Sequence, residues 1–88
     1  LDETCRQQQV NDGCFAKLSE VPTHALTLTI PTLVAPKAVF CIVPATTKAN
    51  AVKATLPGPV TEACPASILR RHATAALYCD ADSAALIL

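Results

Sequence analysis

Eighty-eight residues allow one domain, and seven Lys and Arg against seven Asp and Glu give zero net charge. With 51% hydrophobic residues and only two glycines, the composition is that of a globular, core-rich chain rather than a disordered one. Three aromatics and no basic cluster beyond Arg70-Arg71 leave no electrostatic footprint for nucleic acid or for an anionic membrane, so neither is expected as a partner.

In chain order, Thr4 can cap a short helix through Gln7-Gln8-Gln9-Val10, which Asn11-Asp12-Gly13 ends, because glycine readily takes the left-handed conformation of a helix stop. A second short turn, Cys14-Phe15-Ala16-Lys17-Leu18, supplies apolar side chains for docking, and Val21-Pro22 breaks the chain. His24-Ala25-Leu26-Thr27-Leu28-Thr29-Ile30 then alternates. His24, Leu26, Leu28 and Ile30 fall on one face, which predicts a strand with one apolar side and a structural role for His24. Pro31 opens a short helical turn through Thr32-Leu33-Val34-Ala35, and Pro36 closes it.

Ala38-Val39-Phe40-Cys41-Ile42-Val43 is the most informative stretch. Six consecutive apolar residues, rich in β-branched and aromatic types, predict a strand buried on both faces, as in a parallel sheet. A helix follows, with Thr46 or Thr47 as its cap and Ala49, Val52 and Leu56 on one face. Lys48 sits in the first turn of that helix, where a cation opposes the helix dipole. It is either a side chain extended into water or the partner of an anion bound beyond the strand's carboxyl end.

Pro57-Gly58-Pro59 stops this helix, and Pro65 starts a short one ending in Arg70-Arg71-His72, where positive charge complements the carbonyl end of the dipole. Ala75-Ala76-Leu77-Tyr78-Cys79 predicts a second buried strand, and Asp80 or Asp82 can cap a terminal helix. Alternating strands and helices imply an α/β fold with a parallel sheet, right-handed crossovers and helices on its faces.

The five cysteines, Cys5, Cys14, Cys41, Cys64 and Cys79, are odd in number and lack a CxxC pair or zinc spacing. Neither a disulfide framework nor a metal site is expected. A reducing, cytoplasmic setting fits, with Cys41 and Cys79 as small buried hydrophobes within strands. No apolar run is long enough to span a bilayer and no signal peptide is visible. The chain has no methionine and stops on Ala84-Ala85-Leu86-Ile87-Leu88, so residues 1–88 are expected to be part of a single domain truncated at both ends.

The string Val21-Pro22-Thr23-His24-Ala25-Leu26-Thr27, continuing through Pro31-Thr32-Leu33 and the strand to Ala45-Thr46-Thr47-Lys48-Ala49, resembles the C-terminal part of the glucosamine-6-phosphate deaminase/isomerase family. Gly58-Pro59-Val60, Cys64-Pro65-Ala66-Ser67-Ile68-Leu69, His72 and the strand closing on Cys79-Asp80 follow in the family's order and spacing. The resemblance implies a three-layer open α/β fold of the kind shared by ribose-5-phosphate isomerase and the CoA transferases. It also implies conversion of glucosamine 6-phosphate and water to fructose 6-phosphate and ammonia, with no metal or organic cofactor. A sugar phosphate is then the implied partner, and Lys48 matches the family's phosphate-gripping lysine. Thr47 beside it, and Arg6 as a second contact, complete the candidate phosphate-binding set.

The departures are as informative. The family's Gly/Ser/Thr phosphate loop, its Leu-Asp-Glu segment and its Asp-Gly-His motif lie upstream of the region resembled, so no catalytic residue is expected in this chain, and Leu1-Asp2-Glu3 is not that acidic segment. Where the family carries an arginine in an Asn-x-Arg-Phe-Phe pattern, this chain reads Val10-Asn11-Asp12-Gly13-Cys14-Phe15. Two other readings share the fold: the sugar-phosphate-sensing domain of a transcription regulator and a 6-phosphogluconolactonase.

Overall fold

A computed structural model describes all residues, Leu1–Leu88. Helix α1 (Glu3–Asn11) is capped by Asp2, whose Oδ1 accepts the N–H of Cys5 at 2.7 Å. Thr4, the expected cap, lies inside the first turn. The carboxylate one residue ahead of the helix both accepts an orphan N–H and complements the positive end of the dipole. Gly13 ends α1 as expected. At φ +81° it lets its own N–H reach Val10 O and that of Cys14 reach Gln9 O, both at 3.0 Å, the paired bonds of a Schellman stop. The second turn forms at Leu18–Glu20 as 3₁₀ helix, slightly later than anticipated. Arg6 clamps it to α1, donating from Nη2 to Leu18 O and Val21 O at 3.0 Å each, over a buried Val21.

The alternating segment His24–Ile30 is not a strand. It runs without ladder partners as far as Thr29, and Leu26 is fully exposed. Alternation prepares a segment for a sheet but a ladder needs a neighbour, and the two strands of this chain pair with each other. His24 is exposed too, its Nδ1 hydrogen-bonded only to Thr23 Oγ at 2.8 Å, so the structural role expected for it is not realised. Helix α2 (Ile30–Val34) forms where Pro31 favours a first turn.

Strands β1 (Val39–Val43) and β2 (Ala75–Cys79) pair in parallel, with Val39 opposite Ala75 and Val43 opposite Cys79. The crossover between them holds a 3₁₀ turn (Thr46–Lys48), helix α3 (Ala49–Thr55) and a 3₁₀ helix (Pro65–Arg71). Alternate residues of β1 face outward: Phe40 is 67% exposed and Ile42 75%, with Phe40 stacked on Tyr78 at 6.3 Å between ring centroids. Burial on both faces is therefore corrected. A two-stranded sheet in a chain of this size has helical cover for only part of its surface, so this apolar face stays open. Cys79 is likewise exposed and Cys41 half-buried, not the buried hydrophobes expected.

The small core lies along α3, where Ala49, Val52 and Thr55 are buried and the helix packs on Pro65–Arg71. Leu56, expected on the buried face, is the residue that ends the helix and swings partly outward. Gly58 allows the tight exit, since a Cβ there would lie 2.5 Å from Ala54 O. Ser67, fully buried, knots the Pro65–Arg71 helix to the loop before it. Its Oγ accepts the N–H of Thr61 at 3.0 Å and donates toward Cys64 O at 2.6 Å.

His72 does not act as a cation at a helix end. Its Nδ1 accepts the N–H of Thr74 at 3.0 Å, which leaves Nε2–H to donate to Pro36 O at 2.6 Å. Thr74 Oγ donates to Lys37 O beside it. The two bonds tie the chain entering β2 to the chain entering β1 and so fix the register. After β2 the expected terminal helix is a run of turns, with Ala84 N–H bonded to Asp80 O and Ile87 N–H to Ala84 O. The bonds there mix three- and four-residue spacings, so no regular helical ladder forms.

Replacing Ser67 with alanine removes a fully buried hydroxyl and, with it, the acceptor of the part-buried Thr61 N–H. The expected cost is about 1–3 kcal/mol, read in urea denaturation as a lower midpoint with an unchanged slope.

Candidate functional site

The crossover leaves β1 through Pro44 and Ala45 and turns at once into Thr46–Lys48 and α3. Neither Thr46 nor Thr47 caps the helix with its side chain, as had been expected. The intervening 3₁₀ turn makes Lys48 the residue that precedes α3, and no side-chain cap is made there. The turn is closed by main-chain bonds instead, with the N–H of Lys48 donating to Ala45 O at 3.1 Å and that of Ala49 to Thr46 O.

Ala45 has φ +79° and ψ 154°, and no other non-glycine residue of the chain has a positive φ. That region is open essentially to glycine alone and costs another residue about 1–3 kcal/mol. The conformation is held from the second strand. Asp80, the residue after β2, accepts the Ala45 N–H on Oδ2 at 2.9 Å and the Ser83 N–H on Oδ1 at 2.7 Å, while its own N–H donates to Ser83 Oγ at 3.1 Å. Asp80 caps a turn rather than the terminal helix expected there, in reciprocal contact with Ser83, and it also bridges the carboxyl ends of both strands. The main-chain N–H groups of Ser83 and Ala45 hold its carboxyl below the usual carboxylate range.

Of the three expected phosphate-binding residues, Thr47 and Lys48 sit together in the turn beyond β1, Lys48 half-buried and Thr47 exposed. Thr47 lines a cleft of about 450 Å³ whose other wall is the polar side of α1, with Glu3, Thr4, Gln7, Gln8 and Asn11. Arg6 belongs to the same helix but does not line that cleft. Its Nη2 is engaged by the carbonyls of Leu18 and Val21, and its Nε is buried without an acceptor. The chain brings Thr47 and Lys48 together and directs the Arg6 guanidinium toward the Leu18–Val21 loop. No group of three or more His, Cys, Asp and Glu side chains converges as a metal ion would require, and no helix is long and apolar enough to cross a membrane.

Sequence reasoning missed the reach of Asp80 to Ala45. An Asp with a Ser three residues later signals a cap, but nothing local announces a bond across 35 positions to a strained alanine.

No protein-family model matches the chain. Among curated proteins it is 37% identical over 87 residues to a glucosamine-6-phosphate deaminase from Exiguobacterium sibiricum, covering 99% of this chain and 34% of that protein. The corresponding deaminase of Bacillus thuringiensis is 37% identical over 86 residues, which are 98% of this chain and 32% of the relative. Among solved structures, a monomeric glucosamine-6-phosphate deaminase superposes with a TM-score of 0.88 at 32% identity, over 98% of this chain and 35% of that one. The chain therefore spans about a third of the length of the relatives it matches.

Two outcomes test the geometry. Ala45→Gly removes the backbone strain and, after glycine's larger conformational entropy on unfolding, is expected to stabilise the chain by about 1 kcal/mol; a lower melting temperature contradicts the strained turn. The Asp80 carboxyl, followed by NMR, is expected to titrate below 3.8. Because its folded-state value is depressed, its contribution to stability is complete above 3.8 and is lost as pH falls through the lowered value.

Proposed function

From its homology to glucosamine-6-phosphate deaminases over nearly its whole length, we propose that this chain is the phosphate-holding part of a deaminase-like protein, with Lys48 as the principal cation. The whole protein would convert glucosamine 6-phosphate and water to fructose 6-phosphate and ammonia. The observation that carries the reading is the position of Lys48: half-buried, in a turn directly beyond the carboxyl end of a parallel strand. In open α/β sheets that is where ligands bind.

A phosphate monoester carries a charge of about −1.5 to −2 near neutral pH. An ammonium there supplies charge-assisted hydrogen bonds, each stronger than a neutral pair. The Thr47 hydroxyl, on the edge of the polar cleft, adds a neutral donor that can follow the phosphate or the sugar hydroxyls. Arg6 is the secondary contact of this reading on the resemblance alone, and its guanidinium would have to leave the carbonyls of Leu18 and Val21 to reach a phosphate.

The acid and base of the reaction belong, in this reading, to the two thirds of the relatives that the chain does not span, and these 88 residues by themselves are inactive. Two further features of a complete protein follow from the same reading. The open face of Phe40, Ile42 and Tyr78 would be covered by a third layer, and the unpaired Leu26–Ile30 segment would find a strand neighbour. Five free cysteines fit a reducing, cytoplasmic setting.

The test is ammonia release from glucosamine 6-phosphate by the chain alone and by a chimera in which these residues replace the matching third of the Exiguobacterium deaminase. Activity is expected only in the chimera, and turnover by the 88 residues alone would overturn the division of labour. In the chimera, Lys48→Ala is expected to raise KM by roughly 10- to 100-fold, the equivalent of about 1.5–3 kcal/mol for a charge-assisted bond. An unchanged KM contradicts the assignment of Lys48.

A further inference from the structure

We infer that Asp80 is a positioning residue for the Lys48 turn: its carboxylate, reaching from the end of β2 to the main-chain N–H of Ala45, holds the backbone conformation that presents Lys48 and Thr47 beyond the end of β1. The inference rests on the phosphate reading of Lys48 given above and adds to it the element on which that grip depends.

The argument starts from Ala45. Alanine at φ +79°, ψ 154° returns to negative φ unless its surroundings fix both sides of the residue. Both sides are fixed here. The N–H is held by Asp80 Oδ2 at 2.9 Å and the C=O by the Lys48 N–H at 3.1 Å. The second bond is internal to the turn and travels with it, so only the first ties the turn to the rest of the molecule. The carboxylate is itself immobilised through Ser83, which is fully buried and bonded to Asp80 in both directions.

Without Asp80, Ala45 can relax through a rotation of more than about 100° about N–Cα, since the favoured regions for alanine lie at negative φ. The turn from Thr46 to Lys48 is then re-aimed relative to β1, while α3 stays anchored by its buried Ala49, Val52 and Thr55. A carboxylate near an anion site would repel the anion if its oxygens were free. Here Oδ1 and Oδ2 each accept a main-chain N–H, which spreads the negative charge into the strand ends.

The test compares the 88-residue chain with its Asp80→Ala and Asp80→Asn variants by amide hydrogen exchange and by titration with inorganic phosphate, followed at the Thr46, Thr47 and Lys48 amides. Cys41 and Ile42 amides report whether the strand pair is intact. In Asp80→Ala, the Ala45 amide is expected to exchange at least tenfold faster while Cys41 and Ile42 keep their protection, and phosphate affinity is expected to fall about tenfold or more. Asp80→Asn keeps the side chain's shape and one carbonyl acceptor, serves if the alanine variant does not fold, and is expected to give an intermediate loss on both readouts.

Unchanged Ala45 exchange, or unchanged phosphate affinity in a variant whose wild type binds phosphate, overturns the positioning role and leaves the Lys48 reading standing. Failure of the Lys48 reading looks different. The wild-type amides then ignore phosphate altogether, which overturns both, whatever Asp80→Ala does to exchange.

Discussion

The structure depends on how two short parallel strands are kept in register. A parallel pair has no hairpin to align it, and here the ends are separated by a crossover that must itself be ordered. Side chains pin the pair at both ends. At the entry, His72 Nε2–H and the Thr74 hydroxyl bond to the carbonyls of Pro36 and Lys37. At the exit, Asp80 bonds to the Ala45 N–H. Only seven residues of the chain are buried, so apolar burial alone gives little to select one register over another. Polar ties of long sequence separation take that role, and they are directional in a way that burial is not.

The exit tie has the larger consequence. It closes the strand ends and at the same time stabilises a backbone conformation that alanine does not adopt unaided. The turn that carries Lys48 is therefore set by the residue that follows the other strand, and the geometry of the candidate site is a by-product of sheet registration. Strain of this kind is concentrated where a ligand is handled, which agrees with a phosphate reading of the same turn.

Much of this was legible from residues. The strands, the Pro31 and Pro65 starts, the Gly13 stop and the order strand, helix, strand all follow from local composition, because proline, glycine and β-branched runs act within a few positions. So did the placement of Thr47 and Lys48 together beyond β1. What failed was whatever needed a partner elsewhere in space. The alternation of Leu26, Leu28 and Ile30 describes a face, and Phe40 and Ile42 describe a buried strand, yet each lacks the neighbour that would cover it. The His72 bridge was misread as a charge effect because its two acceptor and donor contacts lie on different segments. In the first two cases the apolar pattern is a local property, while its cover is a tertiary one that no residue within a few positions announces.

The most direct measurement is a crystal structure of the chimera with glucosamine 6-phosphate bound. The account predicts phosphate oxygens at hydrogen-bond distance, about 2.7–3.2 Å, from Lys48 Nζ, with Ala45 still at positive φ and bonded to Asp80. A phosphate group seated elsewhere, with the Lys48 side chain directed into solvent, would contradict it.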